Sequence, residues 1–169
     1  MTKTEPTLHL LCGKAASGKS TLAARLGSVP GSAVISEDAW LAELYGDQMT
    51  SLKDFARCSE RLQSVIGPHV VTLLKAGLSV VLDFHANTVA RRAWMRGIIR
   101  DSSANHILHI LDVPDAVCLA RIHERKAGGD HPFALTEEQF KKLATHFFPP
   151  TDAEGFRIER HGWDTDTRR

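Results

Sequence analysis

Residues 13–20 read GKAASGKS, and this stretch decides the fold of the 169-residue chain. It matches the pattern G-x-x-x-x-G-K-[ST] in full. In that pattern the glycines let successive backbone N–H groups point at phosphate oxygens, Lys19 reaches the β- and γ-phosphates, and the Ser20 hydroxyl ligates magnesium. A helix that begins here adds the positive end of its dipole. The predicted phosphate-binding residues are Gly13, Lys14, Ala15, Ala16, Ser17, Gly18, Lys19, Ser20 and Thr21.

The flanking segments give this loop the context that it requires. The apolar run TLHLLC (7–12) predicts a buried strand before it, and STLAARLG predicts a short helix after it. Further strands are predicted at 32–36, 78–84, 106–111 and 156–160. Helices are predicted at 37–45, 51–76, 88–100 and 114–126 and from residue 136, with a break or kink at Gly67-Pro68. Apolar strands that alternate with helices predict an α/β fold whose parallel sheet is covered on both faces.

Size and composition narrow the class of protein. A chain of 169 residues fits one domain, which we expect to span 1–169. No apolar run approaches the roughly 20 residues of a membrane helix. Three scattered cysteines suggest neither a disulfide framework nor a zinc site, so a reducing cytoplasm is the expected compartment. The net charge of +1 makes a dedicated nucleic-acid binder unlikely.

Three aspartates are candidates for the chemistry around a bound phosphate. Asp83 ends the strongest predicted strand, at the sheet edge where open α/β folds bind ligands, and is the preferred magnesium ligand. Asp112 also ends a strand but is better placed to cap the next helix. Asp38 follows the second strand and could accept the proton of a substrate hydroxyl. Ser36, Glu37 and Asp38 are equally plausible as helix caps, so the residues alone leave the role of Asp38 open.

Two arginine clusters are candidates for neutralising phosphate charge. Arg121 and Arg125 are four residues apart, so they share a helix face beside a Gly-Gly connector that could act as a lid near 127–135. The other cluster spans 91–100. Each cluster could equally be a solvated helix face. The absence of an N-K-x-D motif argues against a GTPase, and the length favours phosphoryl transfer to a small acceptor.

The residues resemble the small kinases of the zeta-toxin and chloramphenicol-phosphotransferase-like group, whose compact bacterial members are named as AAA family ATPases. The matching stretches are LLCGKAASGKSTLA, ISEDAW, VVLDFHANTVARRAW, HILHILDVPDAVCLARIHER, HPFALTEEQF and FFPPTDAEGF. They cover most of residues 8–157 in order. Nothing in the chain matches the extended sugar-nucleotide site or the antitoxin-binding segment of the longer zeta toxins.

This resemblance implies a five-stranded parallel sheet of order 2-3-1-4-5, in which the Asp83 strand lies beside the phosphate-loop strand. It also implies that Asp38 is the catalytic aspartate and that Arg121 and Arg125 are lid arginines. Arg92 matches an arginine that faces substrate or phosphate in related proteins. Residues 161–165 (HGWDT) are the best candidate for an adenine-side loop.

The sequence therefore predicts an ATP- and Mg²⁺-dependent kinase that acts on a small-molecule hydroxyl. Its predicted catalytic residues are Asp38, Lys19, Arg92, Arg121 and Arg125, and its predicted metal ligands are Ser20 and Asp83. Two alternatives stay open: a nucleic-acid 5′-hydroxyl kinase that uses the 91–100 cluster, and an ATP-sensing module without turnover. Histidines 85, 131 and 146 have no spacing that pairs them as metal ligands on one helix face.

Overall fold

The computed structural model describes residues 5–129 and 135–163. Five strands form one sheet in which every neighbouring pair is parallel. They are β1 (Thr7–Cys12), β2 (Ser32–Ser36), β3 (Ser79–His85), β4 (Asn105–Asp112) and β5 (Ile158–Gly162). Their order across the sheet is β2-β3-β1-β4-β5, which confirms the predicted α/β fold and its strand order. Because all five run the same way, their carboxyl ends meet at one edge.

Six helices connect or follow the strands. They are α1 (Lys19–Gly27), α2 (Glu37–Tyr45), α3 (Leu52–Lys75), α4 (Val89–Ser102), α5 (Asp115–Gly128) and α6 (Glu137–Ala144). Four of them begin at a serine or threonine whose side-chain oxygen accepts the backbone N–H three residues later: Ser36, Ser51, Thr88 and Thr136. This contact satisfies an N–H group that has no partner within the helix, so it fixes where the helix starts.

The two faces of the sheet bury different partners. On one face, Leu8 and Leu10 of β1 join the main core with α3 and α4 residues such as Ile66 and Met95. On the other face, Leu11 packs with Leu22 of α1 in a smaller cluster. Successive residues of a strand point to opposite faces, so one strand serves both cores. The larger core anchors the elements that carry the site.

The predicted break or kink at Gly67-Pro68 does not interrupt the helix, because α3 continues through Pro68 to Lys75. A proline inside a helix removes one backbone hydrogen bond and costs about 3 kcal/mol. Burial offsets this cost: four apolar side chains at intervals of four residues lie against the core on both sides of the proline, namely Leu62, Ile66, Val70 and Leu74. Packing of this stripe keeps the helix in one piece.

Two predictions concern regions at the limit of the described chain. The predicted lid near 127–135 falls mostly on residues 130–134, which lie outside the described residues; α5 itself continues to Gly128. The single-domain assignment of 1–169 likewise stays a prediction. Within 5–129 and 135–163, no helix combines the length and the apolar character needed to cross a membrane.

Candidate active site

The loop between β1 and α1 has the backbone shape that its glycines allow. Gly18 has a φ of +97° and caps α1, and Ala16 also has a positive φ, of 61°. At Gly13 a Cβ atom would lie 2.5 Å from Ser17 Oγ and 3.2 Å from the Leu111 carbonyl oxygen. A side chain at residue 13 would therefore displace the loop. Such alternating backbone conformations turn consecutive N–H groups inward and form an anion-binding concavity.

Lys19 folds its side chain back over this loop. Its ammonium donates hydrogen bonds to the carbonyl oxygens of Gly13 at 2.7 Å and Lys14 at 2.8 Å. Burial lowers the pKa of Lys19, and the nearby Asp83 carboxylate acts in the opposite direction. The cation therefore lies at the loop where its sequence motif places it.

Ser20 and Asp83 lie together at the carboxyl edge of the sheet. The Ser20 hydroxyl donates to Asp83 Oδ2 at 2.8 Å. Burial raises the pKa of Asp83, while the Ser20 hydrogen bond and the Lys19 charge oppose that shift. A hydroxyl and a carboxylate are hard oxygen ligands of the kind that Mg²⁺ prefers. The pair thus fits a magnesium ion, which is the role predicted for both residues.

Asp112, the alternative to Asp83, lies elsewhere. Its carboxylate is 78% exposed and 3.9 Å from Arg160 on the neighbouring strand. It does not cap α5 either, because Pro114 occupies the N-cap and makes no side-chain capping bond. Asp112 is a solvated carboxylate at the end of β4.

Asp38 lines the same cavity as Lys19 and Asp83. This cavity has a volume of about 590 Å³ and also borders all of the predicted loop residues except Gly13 and Ser17. Asp38 lies in the first turn of α2, next to the Ser36 cap. Beyond the loop, the cavity wall includes the apolar residues Met49, Leu52, Phe55, Leu135, Phe140 and Phe147. Polar and charged side chains, among them Arg91, Lys126 and His146, also line it.

A buried polar cluster beneath Asp38 was missed by the sequence analysis. Glu37 is 1% exposed, and both of its carboxylate oxygens accept from Arg91 Nη1, at 2.9 and 3.0 Å. Ser59 also donates to Glu37, and His85 Nδ1 lies 3.4 Å away. Burial raises the pKa of Glu37 and lowers that of His85. Sequence analysis considered Glu37 only as a cap, and no local pattern joins residues on α2, α3 and α4.

Asn87 is a second residue that the sequence analysis missed. Its side-chain amide donates to the Gly13 carbonyl at 2.7 Å, and its Oδ1 accepts the Gly13 N–H at 2.9 Å. The side chain thus satisfies both backbone groups of the first loop glycine. Asn87 lies two residues after the end of β3, so it ties the segment that follows this strand to the start of the loop.

The structure places Arg92, which was predicted to face substrate or phosphate, in the protein interior. Arg92 is fully buried and does not border the cavity. Its guanidinium pairs with Glu154 at 2.7 Å and donates to the carbonyl oxygens of Ala86 and Phe148 at 2.9 and 2.8 Å. These contacts join α4 to the segment before β5. The neighbouring Arg91 is the residue of this cluster that borders the cavity.

Arg121 and Arg125 face a second cavity of about 470 Å³ beside the loop. Arg121 donates to the Ala16 carbonyl at 3.0 Å, and its guanidinium lies over the Trp163 ring at 4.9 Å from the centroid. Arg125 borders both cavities. Asp115, in the first turn of the same helix, pairs with Lys14 at 2.6 Å. The two arginines therefore lie beside the phosphate loop, and both border the second cavity.

A match to a protein-family model shows to which family this chain belongs. The model of the AAA domain family matches residues 8–150, which include the loop, Asp38, Asp83, Arg121 and Arg125. The chain belongs to the AAA domain family. It has no match among curated proteins.

Solved structures with the same fold include proteins of different activities. A candidate kinase from Chloroflexus aurantiacus has a TM-score of 0.75 at 19% identity, with 94% of this chain and 85% of that chain covered. The APS kinase CysC of Mycobacterium tuberculosis, in complex with AMPPNP and APS, has a TM-score of 0.61 at 20% identity, with 96% and 91% covered. A chain of the Pnkp1/Rnl/Hen1 RNA repair complex has a TM-score of 0.63 at 21% identity, with 83% and 43% covered. At these identities the likeness shows a shared P-loop kinase-like fold.

Proposed function

We propose that this AAA-domain protein is an ATP- and Mg²⁺-dependent phosphotransferase that acts on a hydroxyl of a small molecule. The observation that supports it best is that Lys19, the Ser20–Asp83 pair and Asp38 all border one cavity. Phosphoryl transfer requires a phosphate cradle, a magnesium site and a residue that orients the acceptor, within reach of one another. The cavity is bordered by a candidate residue for each of these roles.

The triphosphate of ATP would lie in the loop. The backbone N–H groups of the loop and the N-terminus of α1 attract phosphate, and Lys19 exchanges its loop carbonyls for phosphate oxygens. Ser20 and Asp83 would hold Mg²⁺, which neutralises phosphate charge when it is bound. The adenine end would enter the second cavity, which Arg121 and His161 border. The Trp163 ring packs against the Arg121 guanidinium. Arg121 and Arg125 would neutralise charge on the transferred group.

The acceptor would occupy the wider part of the 590 Å³ cavity. Asp38 would accept the hydroxyl proton as the acceptor oxygen bonds to the γ-phosphorus and the bond to the bridging oxygen of ADP breaks. The apolar wall around Phe55 and Phe147 favours an acceptor with a ring or an alkyl portion. The resemblance to chloramphenicol-phosphotransferase-like kinases supports the inclusion of antibiotics among the acceptors to be tested.

The arrangement of the 91–100 arginines argues against a nucleic-acid 5′-hydroxyl kinase. A track for phosphates needs exposed cations in a row. Arg91 is paired with the buried Glu37, Arg92 is itself buried, and Arg100 pairs with Asp101. This cluster therefore does not form a continuous basic surface.

The test is transfer of labelled γ-phosphate from ATP to a panel of metabolites and antibiotics by wild type, Asp38→Asn and Lys19→Ala. Asp112→Asn is the matched control, because it changes an aspartate that borders neither cavity. We expect Asp38→Asn to lower kcat by about 10²–10⁴-fold, the usual contribution of a general base, with the Kd for ATP unchanged. Equal losses of ATP binding and transfer would refute the role of Asp38. Lys19-dependent ATP binding with no transfer to any acceptor would favour a sensing module.

A further inference from the structure

Three histidines lie in a row across the sheet on the face that carries α1. His9 of β1, His109 of β4 and His161 of β5 are on neighbouring strands in the order β1-β4-β5. His9 Nδ1 lies 3.0 Å from His109 Nε2, and His109 Nδ1 lies 2.9 Å from His161 Nε2. Glu159 pairs in register with His109, and its Oε1 lies 3.7 Å from His161 Nε2. The parallel register therefore brings together four potential metal-binding side chains.

Three of these side chains have the spacing of a metal site. One ligand atom each from His109, Glu159 and His161 lies within 4.8 Å of the other two. Tetrahedral zinc, with nitrogen and oxygen ligands at about 2.0–2.2 Å, places its ligand atoms roughly 3.4 Å apart. The separations of 2.9 and 3.7 Å fall on either side of that value. Glu159 is 55% exposed, so its side chain is free to adjust without a backbone change.

His9 fits the outer partner that a metal-binding histidine needs. A histidine ligand donates its second ring N–H to another group, which fixes the ring orientation and the tautomer. If His109 Nε2–H donates to His9 Nδ1, the lone pair of His109 Nδ1 points toward His161. His109 is 2% exposed, so the surrounding core holds its ring in place.

We propose that His109, His161 and Glu159 bind a zinc ion, with water as the fourth ligand and His9 as the outer partner. Two imidazole nitrogens and one carboxylate oxygen form a known zinc ligand set. At His109, the negative charge of Glu159 opposes the positive charge of Arg25. The site lies apart from the oxygen ligands at Ser20 and Asp83. Because His161 also borders the 470 Å³ cavity, the ion lies in the wall of that cavity and ties β5 to β4.

The experiment uses the chelator-treated full chain, titrated with Zn²⁺ by calorimetry and with Co²⁺ by visible absorption. We expect one zinc per chain, intense d–d bands of four-coordinate cobalt, and a higher melting temperature with zinc. His161→Ala and Glu159→Gln change partly exposed side chains, and His109→Gln changes the buried ligand. Each should remove or strongly weaken this binding. His9→Phe should weaken it about tenfold, as loss of an outer partner does.

His123→Gln is the matched control, because His123 is a 64% exposed histidine on α5. It should bind zinc as wild type does, and circular dichroism verifies that each variant is folded. If wild type binds no zinc, or if folded His161→Ala and Glu159→Gln bind it as tightly as the control, the proposal is overturned. The three histidines then form only a hydrogen-bonded row. Because the readouts are metal binding and stability, the outcome does not depend on the proposed kinase activity.

Discussion

Replacement of Arg92 by methionine tests whether this arginine is structural or acts on phosphate. Methionine keeps most of the side-chain volume but removes the guanidinium. The change breaks the ion pair with Glu154 and two hydrogen bonds to the carbonyl oxygens of Ala86 and Phe148. Ala86 is buried and Glu154 is partly buried, so each of them loses a contact that water cannot fully replace, whereas Phe148 is exposed.

The expected loss of stability follows from these contacts. Removal of one partner of a buried ion pair costs about 3–5 kcal/mol, because the remaining charge is left without compensation. In a domain of this size each kcal/mol lowers the melting temperature by about 2–4 °C. Arg92→Met should therefore lower the free energy of unfolding by about 3–5 kcal/mol and the melting temperature by roughly 6–20 °C.

Urea denaturation of wild type, Arg92→Met and Arg96→Met measures this difference. Arg96 lies one helical turn further along α4, where its guanidinium donates to the Gly155 carbonyl at 3.2 Å and lies over the Phe156 ring. It contacts the same segment before β5 but is more exposed, so its replacement should cost about 1 kcal/mol or less. The structural role of Arg92 predicts a large difference between these two matched variants.

The opposite pattern would refute this argument. If Arg92→Met keeps wild-type stability while nucleotide binding or phosphoryl transfer is lost, Arg92 acts on phosphate as the sequence predicted. A loss of transfer that is restored under conditions that restore folding, such as lower temperature, would instead agree with the structural role. Comparison of the loss in free energy of unfolding with the loss in phosphoryl transfer therefore decides between a structural role and a role on phosphate.

Two further predictions concern the loop and the Arg92 pair. Asn87→Ala removes both hydrogen bonds to Gly13 and should weaken ATP binding by about tenfold, the effect of about 1.4 kcal/mol. Calorimetric titration with ATP measures this change. An unchanged Kd would show that the loop holds its shape without the Asn87 hydrogen bonds. Burial raises the pKa of Glu154, but hydrogen bonds from Arg92 and Thr151 outweigh it, so the pKa falls below the ordinary 4.5. The stabilisation by ionised Glu154 is then complete above pH 4.5 and is lost as the pH falls through the folded-state pKa. Urea melts should show wild type and Glu154→Gln converging as the pH falls through that range, and a constant difference would contradict the assignment.

The fold could be predicted because its signals are local. The phosphate loop is one contiguous motif, and the apolar runs of the strands alternate with capped helices along the chain. Ser20 and Asp83 could be placed because each lies at the end of an element whose direction the fold fixes. Asp38 borders the cavity because it too lies at the end of an element, in the first turn of α2. The sequence therefore predicts the location of a residue well when one strand end or one helix start determines it.

Arg92 lies away from the cavity because of the direction in which α4 turns its side chain. Adjacent residues on a helix point about 100° apart, so either Arg91 or Arg92 could have faced the cavity. A signal was present in the sequence, because Arg92, Met95 and Ile98 recur every three residues and all three are buried. The charge of Arg92 obscured its position on the apolar face. Asn87, by contrast, contacts a residue 74 positions away, which no local pattern indicates.

The Glu37–Arg91 pair gives Asp38 a support that is independent of any ligand. Glu37 and Asp38 are adjacent in the first turn of α2, and Glu37 is bound by Arg91 of α4 and Ser59 of α3. Burial raises the pKa of Glu37, so this carboxylate would be unfavourable without the arginine. Three elements are thus joined directly beneath Asp38. The cost of a buried ion pair at this point is understandable if it fixes the first turn of α2, because the proposed base Asp38 must be held within a fraction of an ångström of its working position.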